Sequence, residues 1–184
     1  MRIMPLYDTC AQQNHKNICF ALDLSVSLNM KIKLVCVGGV RDSAIASAID
    51  MYAKRIGHYW PFSIVNVADV RSPGVAERQK SLEGAKLLAE VAPGDFLLLL
   101  DERGRQYGSR EFSDFLARKA VELPRNLILA VGGPYGFSKE VYDRSDAMLS
   151  LSKMTFPHEL VRLFLCEQIY RAGTIQRGEP YHHD

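Results

Sequence analysis

No stretch of this 184-residue chain approaches the ~18–20 consecutive apolar residues that a membrane-spanning helix needs. The N-terminus carries a single basic residue, Arg2, ahead of an apolar patch broken by Asp23, with no small-residue cleavage site. A secretory leader is therefore not expected. The four cysteines, Cys10, Cys19, Cys36 and Cys166, form no CxxC pair and no even spacing, and two of them lie in apolar segments. Buried free thiols in a reducing, cytoplasmic compartment are the expected state, with no metal site. His158, His182 and His183 are too scattered, and too poor in neighbouring acids, to read as metal ligands. Phosphate-binding motifs of the GxxxxGK[ST] and GxGxxG kinds are missing, as is GxSxG, which argues against P-loop, dinucleotide and serine-hydrolase chemistry. A net charge of +2 neither announces nor excludes a nucleic-acid partner.

What is present is an alternation of strand and helix signals. Residues 1–29 mix Gln12, Gln13, Asn14, His15 and Asn17 with the broken apolar patch, and they are expected to be an extension outside the fold. From Met30 a single domain, 30–184, is expected. Lys33–Val37 reads as a buried strand, followed by a helix capped at Asp42 or Ser43. Phe62–Ala68 is a second strand, and Asp69–Pro73 a loop exposing Arg71 and Pro73. Val75–Val91 has the charge density of a solvent-facing helix, with Glu83, Lys86 and Glu90 on one face. Phe96–Leu100, the most apolar run, predicts a central strand ending at Asp101-Glu102-Arg103-Gly104. A helix from Ser109, a strand Asn126–Val131, a short helix from Ser138 and a strand Met148–Leu151 follow. This spacing predicts an α/β domain with a mainly parallel sheet flanked by helices.

Three strand ends share one pattern: Leu100 before Asp101, Val131 before Gly132-Gly133, and Leu149–Leu151 before Ser152. If those strands are neighbours in a parallel sheet, their loops line one crevice at its carboxyl edge, where ligands bind in such sheets. The stretch from Leu149 to His158 is a strand, a polar loop and a proline at the entry of a helix.

That helix, Glu159–Ala172, is apolar over more than half its circumference, which predicts burial on two sides, and two readings stand: a core helix of a monomer, or a helix packed against its own sheet and a second subunit. For Arg162 and Arg171 two readings stand: ion pairs with Glu159 and Glu167 at helical spacing, or contact with a nucleic-acid phosphate. The tail Pro180-Tyr181-His182 combines a stiffened turn, a stacking ring and an imidazole, the parts needed to hold a base and accept its proton.

Taken together, Gly132-Gly133-Pro134-Tyr135-Gly136, Leu149–His158 with Leu160-Val161-Arg162, Ile169-Tyr170-Arg171-Ala172 and Pro180-Tyr181-His182 occur in one order. In this the chain resembles the ribosomal RNA large subunit methyltransferase H family, within the SPOUT methyltransferases. The resemblance covers residues 30–184. It implies a C-terminal trefoil knot, S-adenosylmethionine as methyl donor and a homodimer. It also implies methylation of N3 of a pseudouridine in large-subunit (23S) rRNA of the assembled ribosome. Carried over by position, cofactor contacts fall on Leu100, Gly132, Leu151, Ser152, Lys153, Met154, Thr155 and Phe156. The same resemblance puts Arg162, Tyr181 and His182 on the substrate side, the tail supplied by either subunit.

Overall fold

The computed structural model describes residues 30–70, 76–122 and 126–182. The expected extension 1–29, Cys10, Cys19, Arg71, Pro73 and His183 lie outside the described residues. In chain order the elements are β1 (Ile32–Val37), α1 (Ser43–Ile56), β2 (Phe62–Val67), α2 (Ala76–Leu88), β3 (Phe96–Gln106), α3 (Ser109–Glu122), β4 (Leu127–Val131), α4 (Lys139–Arg144), β5 (Ala147–Ser150) and α5 (His158–Gln176). The five strands form one sheet in the order β2-β1-β4-β3-β5, every pairing parallel.

Alternation along the strands divides the core in two. Ile32, Leu34, Cys36, Leu98, Leu127 and Leu129 face the helices that bury Ile49, Phe115, Leu165 and Ile169, so α1, α3 and α5 cover one side. Val35, Val37, Leu97, Leu99, Ile128 and Ala130 face Leu87 and Val141, so α2 and α4 cover the other. Strands buried on both faces need no polar face, which is why they read as continuous apolar runs. Asp42 caps α1, its carboxylate accepting from the N–H groups of Ala44 and Ile45 at 2.8 and 3.0 Å.

Several sequence expectations need correction. The middle position in the sheet belongs to β4, while β3, interior and covered on both faces as expected, lies beside it. β3 does not stop at Leu100. It leaves the ladder with β5 there and rejoins at Arg105, which again faces Leu149, so residues 101–104 are set aside at the sheet's carboxyl edge. Gly104 permits this, because a Cβ there would meet the backbone of Leu149 at 2.5 Å. Glu83 is not on a solvated face. It is 2 % exposed, since α2 presents it to the sheet edge instead of to water.

α5 extends to Gln176 and has its buried stripe at Leu165, Cys166, Ile169 and Ala172. Phe164 lies outside that stripe, 42 % exposed, against Phe156 from the preceding loop. No helix among the described residues is long and apolar enough to cross a membrane.

Candidate functional site

The order β4-β3-β5 makes neighbours of the three strand ends singled out above, and a pocket of about 540 Å³ opens between their loops. That volume is within the usual range for a small-molecule site. It is lined by Leu100–Arg103 from β3, Val131–Phe137 after β4, and Leu149–Ser152 and Met154–Phe156 after β5. His158 and Val161 close it from the start of α5.

The loop after β4 is tightened by a hydrogen bond from Gly136 N to Gly133 O at 3.0 Å, with Gly136 at φ +77°. Only glycine takes that conformation without strain. A Cβ at Gly132 would sit 3.3 Å from the carbonyl of Gly136 and from the Phe137 ring, so the cradle is built on bare backbone. After β5, the Ser150 hydroxyl donates to Ser152 O at 2.9 Å, and Met154 N donates to Ser152 Oγ at 3.0 Å. Those two bonds shape the loop while leaving Met154 71 % exposed at the pocket rim.

Asp101 organises the opposite wall. Its carboxylate accepts from Arg103 N, Nε and Nη2 at 3.0, 2.8 and 3.1 Å and from the Tyr142 hydroxyl at 2.6 Å. The Arg103 guanidinium lies 4.6 Å over the Tyr142 ring. Hydrogen bonding from Arg103, and then from Tyr142, holds the Asp101 carboxyl down at about 2 against the opposing effect of burial. Burial and the bond to Asp101 push Tyr142 up. Asp101 therefore stays ionised with its acceptor sites occupied, and its role in this arrangement is to brace the wall.

Of the residues expected on the cofactor side, Leu100, Gly132, Leu151, Ser152, Met154, Thr155 and Phe156 all line the pocket. Lys153 lies in the same loop, exposed to solvent and outside the lining. The residues expected on the substrate side, Arg162, Tyr181 and His182, do not line the pocket of this chain. Arg162 is 1 % exposed and donates from Nη2 to Val37 O at 2.6 Å and from Nη1 to Gly38 O at 2.9 Å, beyond the end of β1. Glu159 does not pair with it, accepting from the N–H groups of Arg41 and Asp42 instead.

The tail rests on the far half of α5. The Tyr181 hydroxyl donates to Glu167 Oε1 at 3.1 Å and lies 3.4 Å from the Tyr52 hydroxyl, and its ring meets Tyr170 edge-on at 4.8 Å. Arg171 pairs with Glu167, covers the Tyr181 ring at 4.8 Å and reaches His182 Nδ1 at 3.4 Å. Burial, with the Tyr52 hydrogen bond, raises the Tyr181 hydroxyl above its ordinary value. Ten residues of helix separate Arg171 from Val161 at the pocket, a rise of about 15 Å. The two parts of the expected site are thus separated along α5 in this chain.

Sequence reasoning missed Glu83 and the partners of Asp101. The abrupt change at Leu100–Asp101 was a signal for the latter. Glu83 gave none. Among the described residues no group of His, Cys, Asp or Glu is clustered to hold a metal ion.

A family model described as "Predicted SPOUT methyltransferase" matches residues 30–182. Ribosomal RNA large subunit methyltransferase H of Christiangramia forsetii is 45 % identical over 156 residues, 84 % of this chain and 99 % of that protein. Proteins of the same name from Porphyromonas gingivalis and Parabacteroides distasonis are 46 % and 44 % identical over 157 residues, again 84 % of this chain and the whole of each relative.

Proposed function

This chain belongs to the SPOUT methyltransferase family, and from that premise we propose that it transfers a methyl group from S-adenosylmethionine to N3 of a pseudouridine in large-subunit rRNA, on the assembled ribosome. The observation that carries the reading is the pocket itself. Three parallel strands end in loops of bare backbone, apolar side chains and a braced acidic wall, around a volume suited to a nucleoside.

The residues present fit the donor. Gly132 has no Cβ where Gly136 and Phe137 close in, and Leu151 and Phe156 offer apolar contact for an adenine ring. Main-chain N–H and C=O groups of residues 151–156 suit an adenine edge. S-adenosylmethionine supplies an electrophilic methyl carbon on a sulfonium. The protein must then present a nitrogen in line with that carbon, exclude water and remove one proton.

In this reading His182 accepts the N3 proton and Tyr181 stacks on the base. Arg162, buried behind the strand ends, contributes a fixed positive charge that favours the developing anion. Because each tail is held about 15 Å along α5 from its own pocket, it serves the pocket of a second subunit. A homodimer through the unburied apolar side of α5, including Phe164, supplies that geometry. The trefoil knot of the C-terminal half and the cytoplasmic location belong to the same reading.

The direct test is methylation of ribosomes compared with naked rRNA, followed by mass spectrometry of the nucleosides. N3-methylpseudouridine formed on ribosomes is the expected product. A different modified nucleoside, or none, would overturn the assignment.

A further inference from the structure

Glu83 is a buried carboxylate with half of its hydrogen-bonding capacity unused. It is 2 % exposed. Oε1 accepts from Val70 N at 3.1 Å and from Gln79 Nε2 at 2.9 Å. Oε2 is buried without a hydrogen-bond partner, and no cation among the described residues forms an ion pair with the group. Taking a carboxylate out of water without a counter-charge is costly, so such a group points to a cation supplied from elsewhere.

The direction in which the unused oxygen points is clear. A Cβ built on Gly133 would lie 2.6 Å from Glu83 Oε2, and Gly133 lines the pocket. Gly133 thus stands between this carboxylate and the pocket that the glycine lines. The pocket wall does not offset it: Asp101, Glu102 and Arg103 line the cavity, and Arg103 is already engaged by Asp101.

We propose that Glu83 is a specificity-determining residue that makes the pocket prefer a cationic ligand over its neutral counterpart. This rests on the methyltransferase reading above and deepens it. When the methyl carbon bonds to the substrate nitrogen, the C–S bond breaks and leaves its electron pair on sulfur, while the nitrogen's proton passes to the base. The sulfonium thereby becomes an uncharged thioether. A carboxylate behind Gly133 interacts favourably with the charged donor and not with the neutral product, so it favours exchange of spent for fresh donor. At roughly one glycine's thickness and an intermediate effective dielectric, the interaction is enough to change relative affinity about tenfold.

Isothermal titration calorimetry on the full chain tests this with S-adenosylmethionine, S-adenosylhomocysteine and the cationic amine analogue sinefungin. Glu83→Gln should lower the preference for the two cationic ligands over S-adenosylhomocysteine about tenfold. Gln79→Ala removes a hydrogen bond without changing charge and should leave that preference intact. Gln79→Lys keeps Glu83 but supplies it with a cation one helical turn away, and should lower the preference as Glu83→Gln does. It decides the matter if Glu83→Gln fails to fold. Equal weakening of all three ligands in the charge-altering variants, or an unchanged preference, overturns the proposal. Failure of the wild-type chain to bind any of the three would instead overturn the methyltransferase reading.

Discussion

The guanidinium of Arg162 donates to the carbonyl oxygen of Val37 across 2.6 Å, tying the first turns of α5 to the carboxyl end of β1. Arg162→Ala would leave that carbonyl and the carbonyl of Gly38 without their donor in a buried setting. A loss of about 2–4 kcal/mol is expected, measured by urea denaturation. Arg162→Lys should recover part of it, because an ammonium keeps the charge but not the two-pronged geometry.

Gly104→Ala should be among the most damaging single-methyl additions. The new Cβ would meet backbone atoms of Leu149 and Met148 at 2.5–2.6 Å, and backbone cannot swing aside as a side chain does. Separation of β3 from β5 would cost at least about 2 kcal/mol and would distort the pocket wall at residues 101–103. Thermal melting and calorimetric titration with S-adenosylmethionine should therefore fall together.

Asp101 makes a prediction about acid. Its folded-state pKa is depressed to about 2 by Arg103 and Tyr142, so its contribution to stability is complete above about pH 4 and is lost as pH falls towards 2. Arg103 is largely solvated, which limits that contribution to roughly 1 kcal/mol. Asp101→Asn should narrow the stability difference between pH 5 and pH 2, read from denaturant midpoints at each pH. An unchanged difference would place the acid sensitivity elsewhere.

The two described thiols should be inert in the native state. Burial pushes Cys36 up to about 11, against the opposing pull of Arg162, and pushes Cys166 up to about 12. Alkylation mapped by mass spectrometry should leave both unmodified near neutral pH until the chain is unfolded. Fast labelling of either in the folded protein would mean the core opens locally.

In the dimer proposed above, the placement of the tail predicts complementation between subunits. His182→Ala should lower turnover far more than affinity for S-adenosylmethionine. A second variant with its pocket blocked at Gly132 should be inactive for want of a donor site. Mixed dimers of the two would combine an intact pocket with an intact tail from the other subunit. Activity should return to about a quarter of the wild-type level in a one-to-one mixture. No recovery would mean that each tail serves its own pocket.

The β-branched and leucine-rich runs were legible as buried parallel strands, because strands covered on both faces need no polar alternation. The crevice was legible too. Apolar runs that break off at Asp101, Gly132 and Ser152 mark where backbone leaves the sheet, and the alternation placed those ends on one edge. Asp42 as a cap depends on residues two and three positions away, so it could be read locally.

Other features depend on partners far along the chain. Arg162 is buried because carbonyls 124 and 125 residues earlier converge on it, and its neighbours in sequence, Glu159 above all, suggested a surface ion pair instead. Glu83 looked like one charge in a solvated row, and only the packing of α2 against the glycine loop turned it towards the pocket. The continuation of β3 past its charged residues depends on Gly104 meeting β5, a contact no local pattern encodes. Periodicity and turn chemistry are local, so the sequence alone determined the elements, their layering and the loops that make the crevice. Which charges are buried, what braces the pocket wall and how far the tail lies from its own pocket are long-range relationships, and only the tertiary structure decided them.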